Sequence, residues 1–546
     1  MSTLDELGRG WGRARALVEA GILGGTIEGA ARLWRNLLVG DVHPSTLWSL
    51  NAANLPRTIA IVDGEGQRTW RELERRIHRV ANALLALGVE RGDAVAVMLP
   101  NSAEWIECFA ACGLVGASAV FVSYRSTADE LDYLLRDSGA RVLVFHRDCA
   151  QAVREGTAAL PPAMRLEVDA GKRSEFASYE ALVGRASPVA PPRSTRGATS
   201  RTVLYTSGTT GRPKGAVREI ARTGIGSFLD FLRVIPLRRS DRHLVAAPLY
   251  HATGSGFALL HASLGSTLVL LRTFDPRVFL RTVHEHRITT TAVVPTMLRS
   301  ILSLPPDERE RYDLSSLRVV VSTGSALPPA LKEDARALLG DVVYDLYGAT
   351  EMGWVAVATP DDVRSRPETV GRIVPGTDVV LLSDDRQPVP PGQVGELFAR
   401  SAFTIEGYHG NEAATLASRW GDYFGVGDLA VLDADGYLTL VDRKADVVIS
   451  GGANVYPAEV ERVLSAHPAV REAAVVGRPD EHWGEALVAF LVPAAQDRPV
   501  DDALIEHCRR HLSGYKVPRI FRWIDELPRN PTGKVLKKEL RARAAA

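Results

Sequence analysis

The sequence predicts an α/β protein. Its large N-terminal domain would be built of layered α/β sheets plus a β-rich subdomain, and a small α+β C-terminal domain would follow. Three observations predict this. Strand-like runs alternate with helical stretches from about residue 60 to about residue 350, the pattern of stacked, largely parallel sheets. Short strands with turn signals at Pro390-Pro391-Gly392 and Asp433–Gly436 dominate residues 370–441, which reads as β-rich. After residue 446 helices and strands alternate over shorter distances. The resulting division is 1–45, an N-terminal helical extension; 46–444, the large domain; and 445–546, the C-terminal domain.

The elements follow in order. Residues 10–40 interleave Leu17, Ile22, Leu33, Trp34 and Leu37 with Arg13, Arg15, Arg32 and Arg35. Such a segment suits either peripheral contact with a membrane or partner, or an extension packed on the main domain. Gly21, Gly24 and Gly25 interrupt a long helix and favour packing. Thr69 is a good N-cap for a helix running toward Gly88. Ala94–Leu99 reads as a buried strand, with a helix to about Cys112 and a further strand at Ala119–Val122. Another strand is expected at Arg141–Phe145, and a loop at 186–200, where Pro, Ser, Arg and Gly cluster. In the C-terminal domain, Glu459–His467 and Asp501–Leu512 read as helices, and Ala473–Val476 and Ala486–Val492 as strands.

Composition narrows the function. The 546 residues are 46% hydrophobic and 24% charged, which excludes wholesale disorder. Lys+Arg and Asp+Glu are both 65, so the chain carries no excess of positive charge for a nucleic-acid partner. The longest apolar run, near Phe109–Val122, is broken by Gly113 and Gly116 and falls short of the ~18–20 residues that span a bilayer. Charges throughout residues 1–20 argue against a secretory signal. Cys108, Cys112, Cys149 and Cys508 form no C-x-x-C pair, and a cytoplasmic setting, with membrane association left open by residues 10–40, is the natural expectation. Only eight of the basic residues are lysines: Lys172, Lys214, Lys332, Lys444, Lys516, Lys534, Lys537 and Lys538. In a chain that uses arginine almost everywhere, each lysine marks a position where a compact ammonium is favoured.

The strongest chemical signal is Tyr205–Gly215. After a β-rich run come Thr206, Ser207, Gly208, Thr209, Thr210 and Gly211, then Arg212-Pro213-Lys214. Hydroxyls and close-approaching backbone N–H groups suit phosphate oxygens, and Lys214 adds a point charge. The spacing is not that of a Walker A loop.

This segment resembles the phosphate-binding loop of the adenylate-forming superfamily, which includes acyl-CoA synthetases, aryl-CoA ligases, luciferases and peptide-synthetase adenylation domains. Other segments resemble that family's motifs in order. Pro248–Gly254 resembles the segment beside the acyl site. Gly324, Ser325 and Ala326, followed by Leu327-Pro328, and Asp345, Leu346, Tyr347, Gly348, Ala349 and Thr350, followed by Glu351, resemble the adenine-side motifs. Gly427-Asp428 resembles the ribose motif. Asp442–Asp446 resembles the interdomain hinge, and Gly451, Gly452 and Asn454–Pro457 the segment lining a pantetheine tunnel. Pro528–Lys534 resembles the C-terminal catalytic loop.

The resemblance implies an ATP-dependent acyl-CoA synthetase that uses ATP, Mg²⁺ and CoA. It implies that Glu351 and Thr206 serve the metal, that Thr350 contacts the α-phosphate, and that Tyr347 stacks on adenine. Asp428 and Arg443 would serve the ribose, and Lys534 would bridge the carboxylate and α-phosphate from a mobile domain. His251, Gly324, Met352 and Gly353 are the expected acyl-side residues. No acidic residue follows Pro248–His251 where amino-acid-activating domains hold an amine-binding Asp. The small, apolar Tyr250–Leu264 segment therefore points to a hydrophobic carboxylic acid, with a medium- or long-chain fatty acid expected. A carrier-protein-loading enzyme and a catalytically silent nucleotide-binding homologue are the alternatives, and a homodimer is compatible with the resemblance. Two positions depart from the family pattern. Ala445 stands where a hinge Asp or Lys is usual, and Val426 stands where a Thr usually precedes Gly427-Asp428.

Overall fold

The computed structural model describes residues 15, 18–21, 26, 44–158, 160–171, 174–192, 200–206, 213–219, 225–450, 453–480, 483–494, 498–529 and 534–545. Among them four sheets form.

Two large sheets build the N-terminal domain. The first has the order Arg372–Ile373, Gly353–Ala358, Val343–Ala349, Val319–Thr323, Thr290–Val293, Arg242–Val245, Thr267–Leu270, Ile59–Asp63, Gly66–Thr69. Its central strands pair in parallel, and antiparallel strands close both edges. The second sheet runs Gly407–Tyr408, Lys214–Glu219, Arg201–Thr206, Ser118–Phe121, Ala94–Met98, Ala140–His146, Arg165–Val168, Ala177–Ser178. The helices Trp70–Ala86, Ala103–Val115 and Ala252–Leu264 lie between them. Trp70, Trp105, Phe109 and Ala258 share one buried core with Ile61 and Leu268 of the first sheet and Val95 and Val142 of the second. The expected layers are therefore present, and the expected strands are found within a residue or two.

Local signals account for the boundaries. Thr69 caps Trp70–Ala86 through a reciprocal capping box with Glu72, as its sequence position predicts. Strand Ala94–Met98 is buried along its whole length because it is central and covered on both faces. The β-rich subdomain is an antiparallel sheet of Asp378–Leu382, Val394–Arg400, Tyr423–Leu432 and Arg419–Trp420, with Leu438–Arg443 beside Tyr423–Leu432. In the C-terminal domain, Val470–Asp480 and Gly484–Pro493 pair antiparallel from Val470↔Pro493 to Asp480↔Gly484. The first strand extends well past the predicted Ala473–Val476, because the pairing continues through the polar residues toward the turn, and the second matches its prediction within two residues.

Of the amphipathic segment 10–40, only Arg15, Val18–Gly21 and Thr26 are described. Ala20 is buried with Phe231 and Leu237, and its carbonyl accepts from Arg239 N at 2.9 Å. That residue packs on the main domain. The rest of the segment, like most of the expected extension 1–45, lies outside the described residues. No described helix is long and apolar enough to cross a membrane. All four cysteines are free and buried.

Two buried polar clusters hold the elements that carry the site. Lys332, on helix Pro329–Leu339, places Nζ 2.9 Å from Asp345 Oδ2 and donates to the Thr369 carbonyl at 2.7 Å. Both side chains are almost fully inaccessible, and burial raises the Asp345 pKa against the pull of Lys332. Beneath helix Ala252–Leu264, the His243 and His261 rings stack at 4.1 Å. Thr290 Oγ1 bridges His243 Nδ1 at 3.0 Å and His261 Nε2 at 3.2 Å, and Ser266 Oγ lies 3.2 Å from His261 Nδ1. Burial pushes the His261 pKa down to about 3 and holds His243 well below its ordinary value, so both rings are neutral in the folded chain.

Two predictions follow from these clusters. Lys332→Met strands a buried carboxylate and should destabilise the large domain by about 3–5 kcal/mol, measured by denaturant unfolding. The histidine pair sets an acid limit. The unfolded chain protonates its histidines near pH ~6.5 and the folded pair does not, so stability is full above that pH and is lost as pH falls below it. The thermal midpoint should therefore drop from pH ~6.5 downward, and less steeply in His261→Gln.

Candidate active site

A cavity of 1830 Å³ lies where the large domain, the β-rich subdomain and the C-terminal domain meet. A drug-sized ligand needs ~300–1,000 Å³, so this space accommodates a nucleotide together with a second molecule.

One hairpin brings Thr206 and Lys214 to the cavity. Strand Arg201–Thr206 runs out to Thr206, and Lys214–Glu219 returns beside it with Thr206 opposite Lys214. The intervening Ser207, Gly208, Thr209, Thr210 and Gly211 lie outside the described residues. Thr206 Oγ1 is 3.2 Å from Glu351 Oε1, and the Tyr408 hydroxyl donates to the same oxygen at 3.2 Å. Lys214 Nζ sits 5.1 Å from the Tyr408 ring centroid. The two-residue period of the returning strand sets Arg218 on the same face as Lys214. Its guanidinium donates to the Thr350 carbonyl at 2.6 Å, and burial pushes its pKa down to about 10.

Glu351 is a carboxylate 7% exposed, with a hydroxyl on either side. Among the described residues no three His, Cys, Asp or Glu side chains gather as a metal cage. One carboxylate and a hydroxyl facing a large cavity fit Mg²⁺, which keeps most of its shell for phosphate oxygens and water. They do not fit a zinc site, which needs a closed set of N or S ligands.

A second hydrogen-bonded group faces the cavity. Asp428 Oδ2 accepts from the Tyr347 hydroxyl at 2.8 Å, and Arg443 Nε lies 3.2 Å from Oδ1. Burial and the neighbouring Asp428 raise the Tyr347 pKa far above the phenol range, so it remains a donor. Gly324 has φ +88°, a left-handed conformation that favours glycine. A Cβ at Gly348 would come 2.3 Å from the Gly353 carbonyl oxygen. Ser325, Ala326, Leu346, Ala349 and Thr350 also line the cavity.

Two expected site residues take other places. Asp345 borders the cavity, yet its buried carboxylate pairs with Lys332, so its contribution is to hold the strand. Met352 is 0% exposed and packs with Tyr347, Val355, Leu397 and Phe424, away from the cavity lining. The backbone turn at Gly353, φ +77°, sends Met352 into the core and brings Trp354 to the cavity instead. The Trp354 ring lies 3.9 Å from Phe231 and 4.3 Å from Phe403, making an aromatic wall. Sequence reasoning did not single out Phe403, Arg218 or the hydroxyl of Tyr408. Only the alternation along Lys214–Glu219 could have flagged Arg218.

His251 precedes helix Ala252–Leu264 and lines the cavity. Its Nε2 is buried without a hydrogen-bond partner among the described residues. Burial, then Lys534 and Arg125, push its pKa down to about 4, so the ring is neutral at pH 7. Lys534 opens onto the same cavity from the C-terminal domain. Dense surroundings and Arg443 lower its pKa, and Asp428 and Glu351 oppose them. Residues distant in sequence, Thr206, His251, Glu351, Asp428, Arg443 and Lys534, thus face one space. Gly451 and Gly452 lie outside the described residues.

Ala445 offers no polar side chain. Arg541, on helix Lys537–Ala545, donates to the Ala445 carbonyl at 3.0 Å and pairs with Asp446 at 2.5 Å.

Comparison with known proteins agrees with this geometry. A family model described as AMP-binding enzyme matches residues 48–409, and one described as AMP-binding enzyme C-terminal domain matches 459–534. The chain is 38% identical over 503 residues to a feruloyl-CoA synthase of an Amycolatopsis species, covering 91% of this chain and 98% of that protein. It is 34% identical over 507 residues to a fatty acid–[acyl-carrier-protein] ligase of Streptomyces coeruleorubidus, covering 91% and 95%. The crystal structure of an anthranilate CoA ligase in complex with anthranoyl-AMP superposes with a TM-score of 0.85 at 29% identity, covering 92% of this chain and 97% of that one. The chain belongs to the AMP-binding, adenylate-forming enzyme family and is an acid–thiol ligase that joins a carboxylic acid to CoA with ATP and Mg²⁺.

Proposed function

We propose that the cavity activates a hydrophobic carboxylic acid as its acyl-adenylate, with release of pyrophosphate, and then passes the acyl group to the CoA thiol. The observation that carries this reading is the convergence of Lys534 with the Thr206–Glu351 and Tyr347–Asp428–Arg443 groups on one space.

The first step sets a carboxylate against a polyanionic triphosphate, so the site must cancel charge and align the attack. In this reading Asp428, preset by Tyr347 and Arg443, accepts the ribose hydroxyls, and the Tyr347 ring flanks the adenine. Thr206 to Gly211 and Lys214 hold the outer phosphates. Glu351 and Thr206 hold Mg²⁺, which neutralises phosphate charge when bound. Thr350 meets the α-phosphate, and Arg218 fixes its carbonyl. Lys534 bridges the substrate carboxylate and the α-phosphate, so its ammonium offsets the negative charge that grows as the acid oxygen bonds to phosphorus and pyrophosphate leaves. A neutral His251 leaves that cationic role to Lys534. The unit 445–546 then turns about the Ala445 region, and the thiol attacks the acyl carbon as AMP leaves, with Gly451 and Gly452 giving the thin pantetheine arm close access to backbone.

A medium- or long-chain fatty acid remains the expectation for the acid. The cavity-lining rings of Trp354 and Phe403, with Phe231 packed behind Trp354, favour a second reading, a compact aromatic acid that stacks on them. The relative named feruloyl-CoA synthase supports that reading.

The test is AMP and thioester formation with ATP, Mg²⁺, CoA and a panel of octanoic, palmitic, benzoic and cinnamic acids. CoA thioester from one class is expected and identifies the acid. Adenylate without thioester would point to carrier-protein loading, and no turnover to a silent homologue. Lys534→Ala should lower adenylate formation by about 10²–10³-fold with an unchanged thermal midpoint.

A further inference from the structure

A carboxylate outside the reacting groups ties the lysine segment to the large domain. Glu472, on strand Val470–Asp480, uses one oxygen, Oε1, for two guanidinium groups. Arg299 Nη1 donates to it at 2.8 Å and Arg529 Nη2 at 2.9 Å. Arg299 belongs to helix Pro295–Leu302 of the large domain, and Arg529 stands at the base of the segment that ends in Lys534. Arg529 pairs with Val535 as an antiparallel bridge, and Leu536 N donates to the Pro528 carbonyl at 2.8 Å. The residue that Glu472 grips is therefore also bound, through its bridge to Val535, to the chain next to Lys534.

We infer that Glu472 is a positioning residue: together with Arg299 and Arg529 it forms an ionic latch that holds Lys534 in the cavity for the adenylation step. The inference rests on the assignment of Lys534 above. Its physical basis is the sign of the charges. With Glu472 in place, the two guanidinium groups are bridged by a carboxylate whose side chain is 17% exposed. Without it, two like charges face each other across the domain boundary, and attraction becomes repulsion. Arg299 is the only one of the three in the large domain, so the latch parts when the C-terminal domain turns. The latch therefore favours one of two orientations and leaves the chemistry of the other untouched. An exposed ion pair of ordinary kind contributes little; here three partly buried groups share one oxygen at the mouth of the cavity.

The test separates the two half-reactions. Adenylation is read as pyrophosphate released from ATP and the fastest acid of the panel, without CoA. Thioester formation is read from the matching synthetic acyl-adenylate and CoA. Glu472→Gln and Arg299→Gln, on opposite sides of the boundary, should each slow adenylation by about tenfold. The double variant should be no slower than either single one, because both break the same contact. Thioester formation should change less than about twofold in every case, with thermal midpoints preserved. Rising salt should slow adenylation in the parent protein more than in Glu472→Gln. Unchanged adenylation in both single variants, with Lys534→Ala impaired, would overturn the latch and leave the lysine assignment standing. An equal fall in both half-reactions would assign Glu472 a merely structural part and also overturn it. Unimpaired adenylation in Lys534→Ala would overturn the lysine assignment and the latch with it.

Discussion

The architecture depends on one electrostatic problem: a cation must meet two anionic reactants at one point without being held there permanently. The proposed solution places that cation, Lys534, on a separate domain. Its surroundings lower its pKa through burial and Arg443, while Asp428 and Glu351 help it stay charged. Burial keeps His251 neutral, and the ammonium adds to that effect. The large domain supplies the rest of the frame, with the hydroxyls of Thr206 and Tyr408 about the Glu351 carboxylate and the Tyr347–Asp428–Arg443 chain facing the same cavity. Each of these groups is oriented by a neighbour, so little reorganisation is required when substrate charge arrives.

The scarcity of lysine has a counterpart in the structure. Lys332 sits in a buried charge pair, Lys444 reaches Glu396 and Asp384, Lys516 grips Glu459, and Lys537 pairs with Glu461. Lys214 lies over the Tyr408 ring. At Lys332, Lys516 and Lys537 a compact ammonium enters a confined place where a planar fork would need more room, whereas Lys444 is exposed. Arginine instead handles the domain boundary. Arg299, Arg529 and Arg541 bridge carboxylates there, and Arg541 also takes the Ala445 carbonyl. An arginine from the following helix thus occupies the hinge region, where Ala445 has no side-chain hydrogen bond to offer.

Much of the fold was legible because its signals are local. Thr69 and Glu72 announce a helix start, and the apolar run at Ala94–Met98 can only be a covered central strand. The length of Val470–Asp480 was not legible, because long-range pairing carries polar residues into the ladder that periodicity would exclude. The site divides in the same way. Residues in contiguous motifs, such as Thr206, Glu351 and Asp428, could be named from sequence. Met352 could not be placed correctly, because a motif gives adjacency along the chain and not which face a side chain takes. The left-handed turn at Gly353 sends Met352 inward and brings Trp354 to the cavity. The contacts of Arg218, Tyr408 and Glu472 were not legible for a different reason: each is made with a partner more than fifty residues away.

The account requires that acid activation be complete before the thiol enters. The most direct measurement is the stoichiometry of pyrophosphate released in one rapid mixing of enzyme, ATP, Mg²⁺ and the acid, with CoA withheld. The account predicts a burst of about one pyrophosphate per active site, followed by thioester only when CoA is added. Pyrophosphate release that begins only in the presence of CoA would contradict it.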